Sequence, residues 1–253
     1  MENALDIKSL LEWYILAGVD ETCGDECYQA QSSEVLPASP LRQATTSLSQ
    51  NVIASKQNAR DLCAKATTLS ELKQVVENFD GCALKLTAKS TVFGDGNEHA
   101  KIMFIGEAPG ADEDRIGLPF VGRSGRLLEK MLSAINLKRA DVYIANVVMW
   151  RPPGNRTPTD AEVAVCLPFL KRQIELISPE IIVFLGGSAA NALLDNADSI
   201  SRLRGRWLEY QTSLKTFIPA LATFHPAYLL RNCPQKAKVW SDFLRILKKL
   251  KEN

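Results

Sequence analysis

The chain has 253 residues, room for one full-sized domain with an extension or for two small ones. Apolar residues make up 46% and charged residues 23%, which excludes wholesale disorder, and no apolar run reaches the roughly 18 residues of a membrane span. The net charge of +1 hides an asymmetry: residues 1–50 hold two basic and eight acidic side chains, a net of −6, so the remainder carries +7. A mildly basic body suits a polyanionic partner, a signal that many metabolic enzymes share. The N-terminus lacks a basic stretch leading into an apolar one, so no secretory leader is expected. Six scattered cysteines do not form a small disulfide scaffold and point to a reducing cytoplasm.

In chain order, Leu10, Leu11, Trp13, Tyr14, Ile15 and Leu16 suggest one short helix. Residues 29–51 are rich in Ser, Thr, Gln, Ala and Pro without apolar period and read as a flexible linker. The domain reading is therefore an acidic extension over 1–50 and a folded body over 51–253. A helix is predicted over about 58–77, with Leu62, Leu69, Leu72 and Val76 on one face. Short apolar runs at 101–105, 142–149, 181–185 and 221–224 have strand length. Between them, 124–135 carries a helical apolar stripe, and 159–177 opens on the capping-box pattern Thr159-Asp-Ala-Glu162. Pro234 leads into a closing helix with Val239, Trp240, Phe243, Leu244 and Leu247. Apolar strands alternating with helices imply a parallel sheet covered on both faces, with functional groups at the carboxyl ends of the strands.

Those ends carry the informative residues. The first strand runs into Gly106-Glu-Ala-Pro-Gly110, then Glu113, Gly117 and Pro119-Phe-Val-Gly122. The second ends at Asn146 and continues to Arg151-Pro-Pro-Gly-Asn-Arg156; the third ends at Gly186, and the fourth at Phe224-His-Pro-Ala-Tyr228. Gly106 and Gly110 flank a turn whose main chain can approach a flat ligand closely, although Glu107 and Glu113 there can equally be loop caps holding backbone amides. His225 follows an apolar strand on the sheet edge that also carries Glu107, a placement favouring chemistry over packing. Phe120 fits either core packing or stacking on a base, and the Asn146 amide, both donor and acceptor, suits a nucleobase edge. Arg151, Arg156, Arg202, Arg204, Arg206 and Arg231 are either solvated surface or a phosphate-contacting rim.

Taken together, Gly106-Glu-Ala-Pro-Gly-Ala-Asp-Glu-Asp114, Gly117-Leu-Pro-Phe-Val-Gly122, Asn146, Arg151-Pro-Pro-Gly-Asn-Arg156 and His225-Pro-Ala-Tyr228 resemble, in order, the motifs of family 4 uracil-DNA glycosylases. The resemblance covers about residues 79–247. It implies a three-layer α/β/α sandwich around a four-stranded parallel sheet and an enzyme that flips deoxyuridine out of DNA and hydrolyses its N-glycosidic bond. It implies His225 as donor to the uracil oxygen, and Glu107 and Glu113 as the groups that orient water or stabilise the cationic sugar, with Glu113 alternatively the wall refusing the thymine methyl. The base pocket would comprise Gly106, Ala108, Gly110, Phe120 and Asn146. Ser124, Arg156, Tyr228, Leu229, Leu230 and Arg231 would contact DNA, the last four as the loop that enters the duplex. The expected partner is uracil-containing DNA, with no membrane involved and the protein acting as a monomer.

Two departures from the family pattern matter. Family 4 enzymes usually hold a four-iron, four-sulfur cluster on four cysteines, of which this chain keeps Cys82 and Cys166 but has Phe79 and Trp150 in the other two places. Cluster loss and no metal cofactor are therefore expected unless Cys63 or Cys233 substitutes; Cys23 and Cys27 have no assigned role. Relatives that trap the abasic sugar on a loop histidine have it where this chain has Asn155-Arg156-Thr157-Pro158, so covalent trapping is not expected. Two rival functions remain in view. A non-catalytic lesion binder on the same fold is disfavoured by the retained Glu107 and His225, and a nucleotide-binding or phosphate-transfer enzyme by the missing Gly-Lys-Ser/Thr ending.

Overall fold

The computed structural model describes residues 41–194 and 197–252, so the helix expected around Leu10–Leu16 and the cysteines Cys23 and Cys27 lie outside the described residues. From Ala44 onward the chain forms one compact unit. Helix α1 spans Leu41–Lys65 and so takes in the last residues of the expected linker. No Gly or Pro occurs between 41 and 65 to interrupt it, and helical continuity outweighs polar composition. The helix expected over 58–77 is in fact two. The chain breaks after Lys65 and restarts as α2, Leu69–Asn78, where the Thr68 side chain accepts from the Glu71 amide and the Glu71 carboxylate reaches back to the Thr67 amide.

Six strands follow: β1 Asp95–Gly96, β2 Ile102–Gly106, β3 Tyr143–Asn146, β4 Ile181–Leu185, β5 Trp207–Gln211 and β6 Phe217–Thr223. They form one sheet in the order β1-β3-β2-β4-β6-β5. The four inner strands are mutually parallel, as expected, and β1 and β5 pair antiparallel at the two edges, making the sheet six-stranded rather than four-stranded. Helices α3 Ala111–Ile116, α4 Arg123–Ser133, α5 Asp160–Ile177, α6 Gly187–Leu194, α7 Ile200–Leu203, α8 Pro226–Arg231 and α9 Lys236–Glu252 complete the chain. Pro234 lies in a single 3-10 turn before α9 rather than inside it.

Strand alternation divides the core into two layers. Met103, Ile105, Ile182, Phe184, Ala220 and Ala222 face one side, where Leu72 and Val76 of α2 and Val165, Phe169 and Leu170 of α5 cover them. Ile102, Phe104, Ile181, Val183, Leu185 and Leu221 face the other, under Leu128 and Leu132 of α4 and Val239, Phe243 and Ile246 of α9. Both faces of the inner strands are thus apolar, which is why those strands read as unbroken runs. Because β2, β3 and β6 all run in the same direction, their carboxyl ends meet on one edge, where Gly106 pairs in register with Asn146. Among the described residues no helix is long and apolar enough to cross a membrane.

Candidate active site

At that edge lies a cavity of about 510 Å³ whose walls include Glu107, Ala108, Gly110, Glu113, Phe120, Ser124, Asn146, Arg156, His225, Tyr228 and Arg231. Four segments far apart in sequence therefore converge as expected. Pro109, Pro152, Asn155, Thr157 and Ala227 also line it.

The floor is built where β2 ends. A Cβ on Gly106 would run into the Asn146 carboxamide and the Phe120 ring, so only glycine lets both side chains close over the strand end. The next turn is held by Glu113. One carboxylate oxygen accepts from the Gly110 amide at 3.1 Å, and the other accepts from Val121 at 3.0 Å and Gly122 at 2.9 Å. Three backbone donors occupy this carboxylate, the arrangement of a loop cap. Glu107 differs: it is partly exposed to the cavity and has no side-chain hydrogen bond among the described residues.

Asn146 is 1% exposed, and neither its Oδ1 nor its Nδ2 has a hydrogen-bond partner among the described residues. Leaving a buried polar group unsatisfied costs about 1–3 kcal/mol. A strand-end carboxamide bearing that cost twice, on a cavity wall, is shaped for a ligand that supplies one donor and one acceptor. Beside it the Phe120 ring, buried, lies 5.5 Å from the His225 ring with 35° between the planes.

His225 follows β6 and caps α8: its Nδ1 accepts from the Ala227 amide at 3.1 Å. With Nδ1 acting as acceptor, the neutral ring carries its proton on Nε2, leaving that N–H free to donate. Burial, reinforced by the Arg231 guanidinium and only partly offset by Glu113, lowers the His225 pKa to about 4. The ring is therefore neutral at neutral pH. A depressed imidazole pKa also ties His225 to folding: its contribution is present above the unfolded value near 6.5 and is lost as pH falls through about 4. If the neutral Nε2–H donor is the working form, excision should stay level from about pH 8 to pH 5 and fall only toward pH 4. Single-turnover rates across that range provide the check, and a rate that climbs as pH falls through about 4 would show that the protonated ring is needed.

The expected DNA contacts separate. Tyr228 packs its ring 5.0 Å from Phe224, and Leu230 is exposed, but Leu229 is 1% exposed and belongs to the apolar layer beneath α4 and α9. Residues 226–231 form a helical turn, so adjacent leucines point about 100° apart, and Leu229, packed in the core, cannot enter a duplex from this conformation. Arg156 reaches the cavity but holds Glu162 through two hydrogen bonds of 2.9 and 2.6 Å. Of the other arginines, Arg231 lines the cavity, Arg151 donates to Asn155, and Arg202 pairs with Asp198. Arg204 is not a rim residue: it is bound to buried Asp242 and stacks over Phe224.

The family's cluster does not fit the residues present. Cys166 donates to Cys82 across 3.8 Å, and both are buried. In the other two places stand aromatic rings: Phe79 sits edge-on to Phe169 at 4.9 Å, and Trp150 donates its indole N–H to the Thr91 hydroxyl at 3.0 Å. Among the described residues no three Cys, His, Asp or Glu side chains converge.

Residues 93–244 match the family described as the uracil DNA glycosylase superfamily. The chain belongs to the uracil-DNA glycosylase superfamily. It is 44% identical over 170 residues to the type-4 uracil-DNA glycosylase of Thermotoga maritima, covering 65% of this chain and 86% of that one. It is 42% identical over 183 residues to the type-4 enzyme of Archaeoglobus fulgidus, covering 71% and 92%, and 40% identical over 179 residues to that of Pyrobaculum aerophilum, covering 69% and 90%. The superfamily's mixed α/β fold is the one built here, with the candidate site on the carboxyl edge of its parallel strands.

Proposed function

We propose that the protein is a uracil-DNA glycosylase of DNA repair, a hydrolase that takes deoxyuridine out of the helix, releases uracil and leaves an abasic site. The observation that carries this reading is the Asn146 carboxamide, buried and unpartnered on both atoms beside Phe120 and His225. Uracil offers the complement: its O4 accepts from Nδ2, and its N3–H donates to Oδ1. Phe120 stacks on the ring, and the Nε2–H of neutral His225 donates to O2 as negative charge develops there. The bond from N1 to C1′ breaks with both electrons going to the base, and the sugar becomes oxocarbenium-like. Glu107, unencumbered at the cavity wall, orients the attacking water and takes its proton. Glu113 serves the reaction by holding residues 110–122 in place through its three amides.

We further read the protein as a monomer acting on DNA through the rim around Ser124, Tyr228, Leu230 and Arg231, with no covalent sugar intermediate and no iron–sulfur cluster. The division into an extension over 1–50 and a catalytic domain over 51–253 belongs to the same proposal. A cytoplasmic setting is supported by the three buried free thiols Cys63, Cys82 and Cys166, which suit a reducing compartment. The direct test is release of free uracil from a deoxyuridine oligonucleotide; binding without release would favour a lesion binder instead.

Specificity offers a second check. Asn146→Asp replaces the Nδ2 donor by an acceptor, which repels uracil O4 and accepts from the cytosine amino group. Uracil excision should fall at least about tenfold, the cost of one mispaired bidentate contact, while the relative rate on cytosine rises. Undiminished uracil excision by this variant would assign Asn146 to structure alone.

A further inference from the structure

Phe120 is held in an unfavourable backbone conformation, and one side chain outside every motif holds it there. Its φ is +52°, in the left-handed region that a bulky residue rarely adopts. Its carbonyl lies so close to α4 that a Cβ on Gly125 would collide with it. From the other side comes Arg139, in the 3-10 turn just ahead of β3. Its Nη1 donates to the Phe120 carbonyl at 3.0 Å, and its Nη2 donates to the Pro119 carbonyl at 2.5 Å. Its Nε is bonded to Asp95 of β1, and Glu129 lies 3.5 Å from Nη1. The guanidinium is largely shielded from water, with 21% of the side chain exposed.

We infer that Arg139 is a positioning residue for base capture, which fixes the Phe120 ring over the pocket by gripping the two carbonyls beneath it. Only a planar fork of donors makes both carbonyl bonds while keeping the carboxylate on its third face. Asp95 pairs with Ile144 in the strand that ends at Asn146, so Arg139 registers the stacking wall of the pocket against the edge-reading wall. Without the fork, the loop is free to leave its left-handed conformation and the ring no longer meets a flipped base. This inference rests on the reading of Phe120 as the stacking surface.

The test is a cycle of Phe120→Ala, Arg139→Met and the double variant, scored by single-turnover excision from a deoxyuridine duplex. Methionine keeps much of the apolar stem and removes every donor. Arg139→Met should slow excision about tenfold or more, the scale expected when a pocket group is misplaced. Its affinity for uracil-free duplex should be unchanged, and the double variant should be no slower than Phe120→Ala alone, because the two act through one ring. Independent, multiplying losses would overturn the inference, as would a wild-type rate for Arg139→Met beside a slow Phe120→Ala. A wild-type rate for Phe120→Ala would instead remove the stacking reading on which it rests. If the methionine variant does not fold, Arg139→Lys enters the same cycle, keeping the charge without the fork and judged by the same non-additivity.

Discussion

Replacing His225 by alanine should reduce uracil excision at least about a hundredfold, the scale seen when a donor aimed at developing negative charge is removed. The geometry makes the loss specific to the reaction. Nδ1 is committed to the Ala227 amide, so the ring presents a single donor, Nε2–H. Burial and Arg231 keep the ring neutral, so in the proposed reaction it would stabilise uracil's negative charge as a hydrogen-bond donor rather than as a cation. The structural cost should be small by comparison. Loss of the side-chain cap of α8 amounts to about 0.5–2 kcal/mol, and Pro226 still presets the first turn of that helix. Excision assayed beside thermal melting separates the two effects. Near-normal excision in a folded His225→Ala protein would overturn the role given to His225.

Much of this site was legible in the sequence because the reacting groups sit at the ends of strands that announce themselves. β4 was predicted with its observed ends, 181–185, since a strand buried on both faces is an unbroken apolar run. The edge strands gave no such signal: β1 is two residues long, and in β5 only Tyr210 is fully buried. At the start of α2 the sequence does hold a break signal, Thr68-Leu-Ser-Glu71, a second capping pattern within one apolar helical stripe.

Within the site, motif reading supplied side chains without their bonding. It named Glu107 and Glu113 together, and only the three amides around Glu113 separate a free carboxylate from a loop cap. It named Leu229 and Leu230 together, and the phase of a six-residue helix decides which faces water. Arg139 was invisible for a different reason. Its partners at 119 and 120 lie twenty and nineteen residues back in the chain, and nothing in local pattern reports a contact of that range.

The largest expected effect on stability lies on the other side of the sheet. Trp150→Ala should destabilise the protein by about 3–5 kcal/mol, the range for deleting a fully buried indole. Trp150 is 1% exposed and sits in the same apolar layer as Phe79, Cys82 and Cys166, and its removal would also strand the Thr91 hydroxyl that its N–H now satisfies. We read the two rings as packing that fills the volume a cluster takes in the family, with the two remaining thiols in contact with each other. On that reading no metal-binding free energy is linked to folding, so chelators should leave the melting temperature unchanged. The purified protein should also be colourless, without the broad visible absorbance of an iron–sulfur centre. The test is denaturant unfolding of the wild type and Trp150→Ala, with iron and sulfide analysis of an anaerobic preparation. Stoichiometric iron and sulfide, or a Trp150→Ala cost below about 1 kcal/mol, the size of an ordinary surface substitution, would overturn the packing role. Excision would still be expected in either event, because the roles proposed for Glu107, Asn146 and His225 make no use of Cys82 or Cys166.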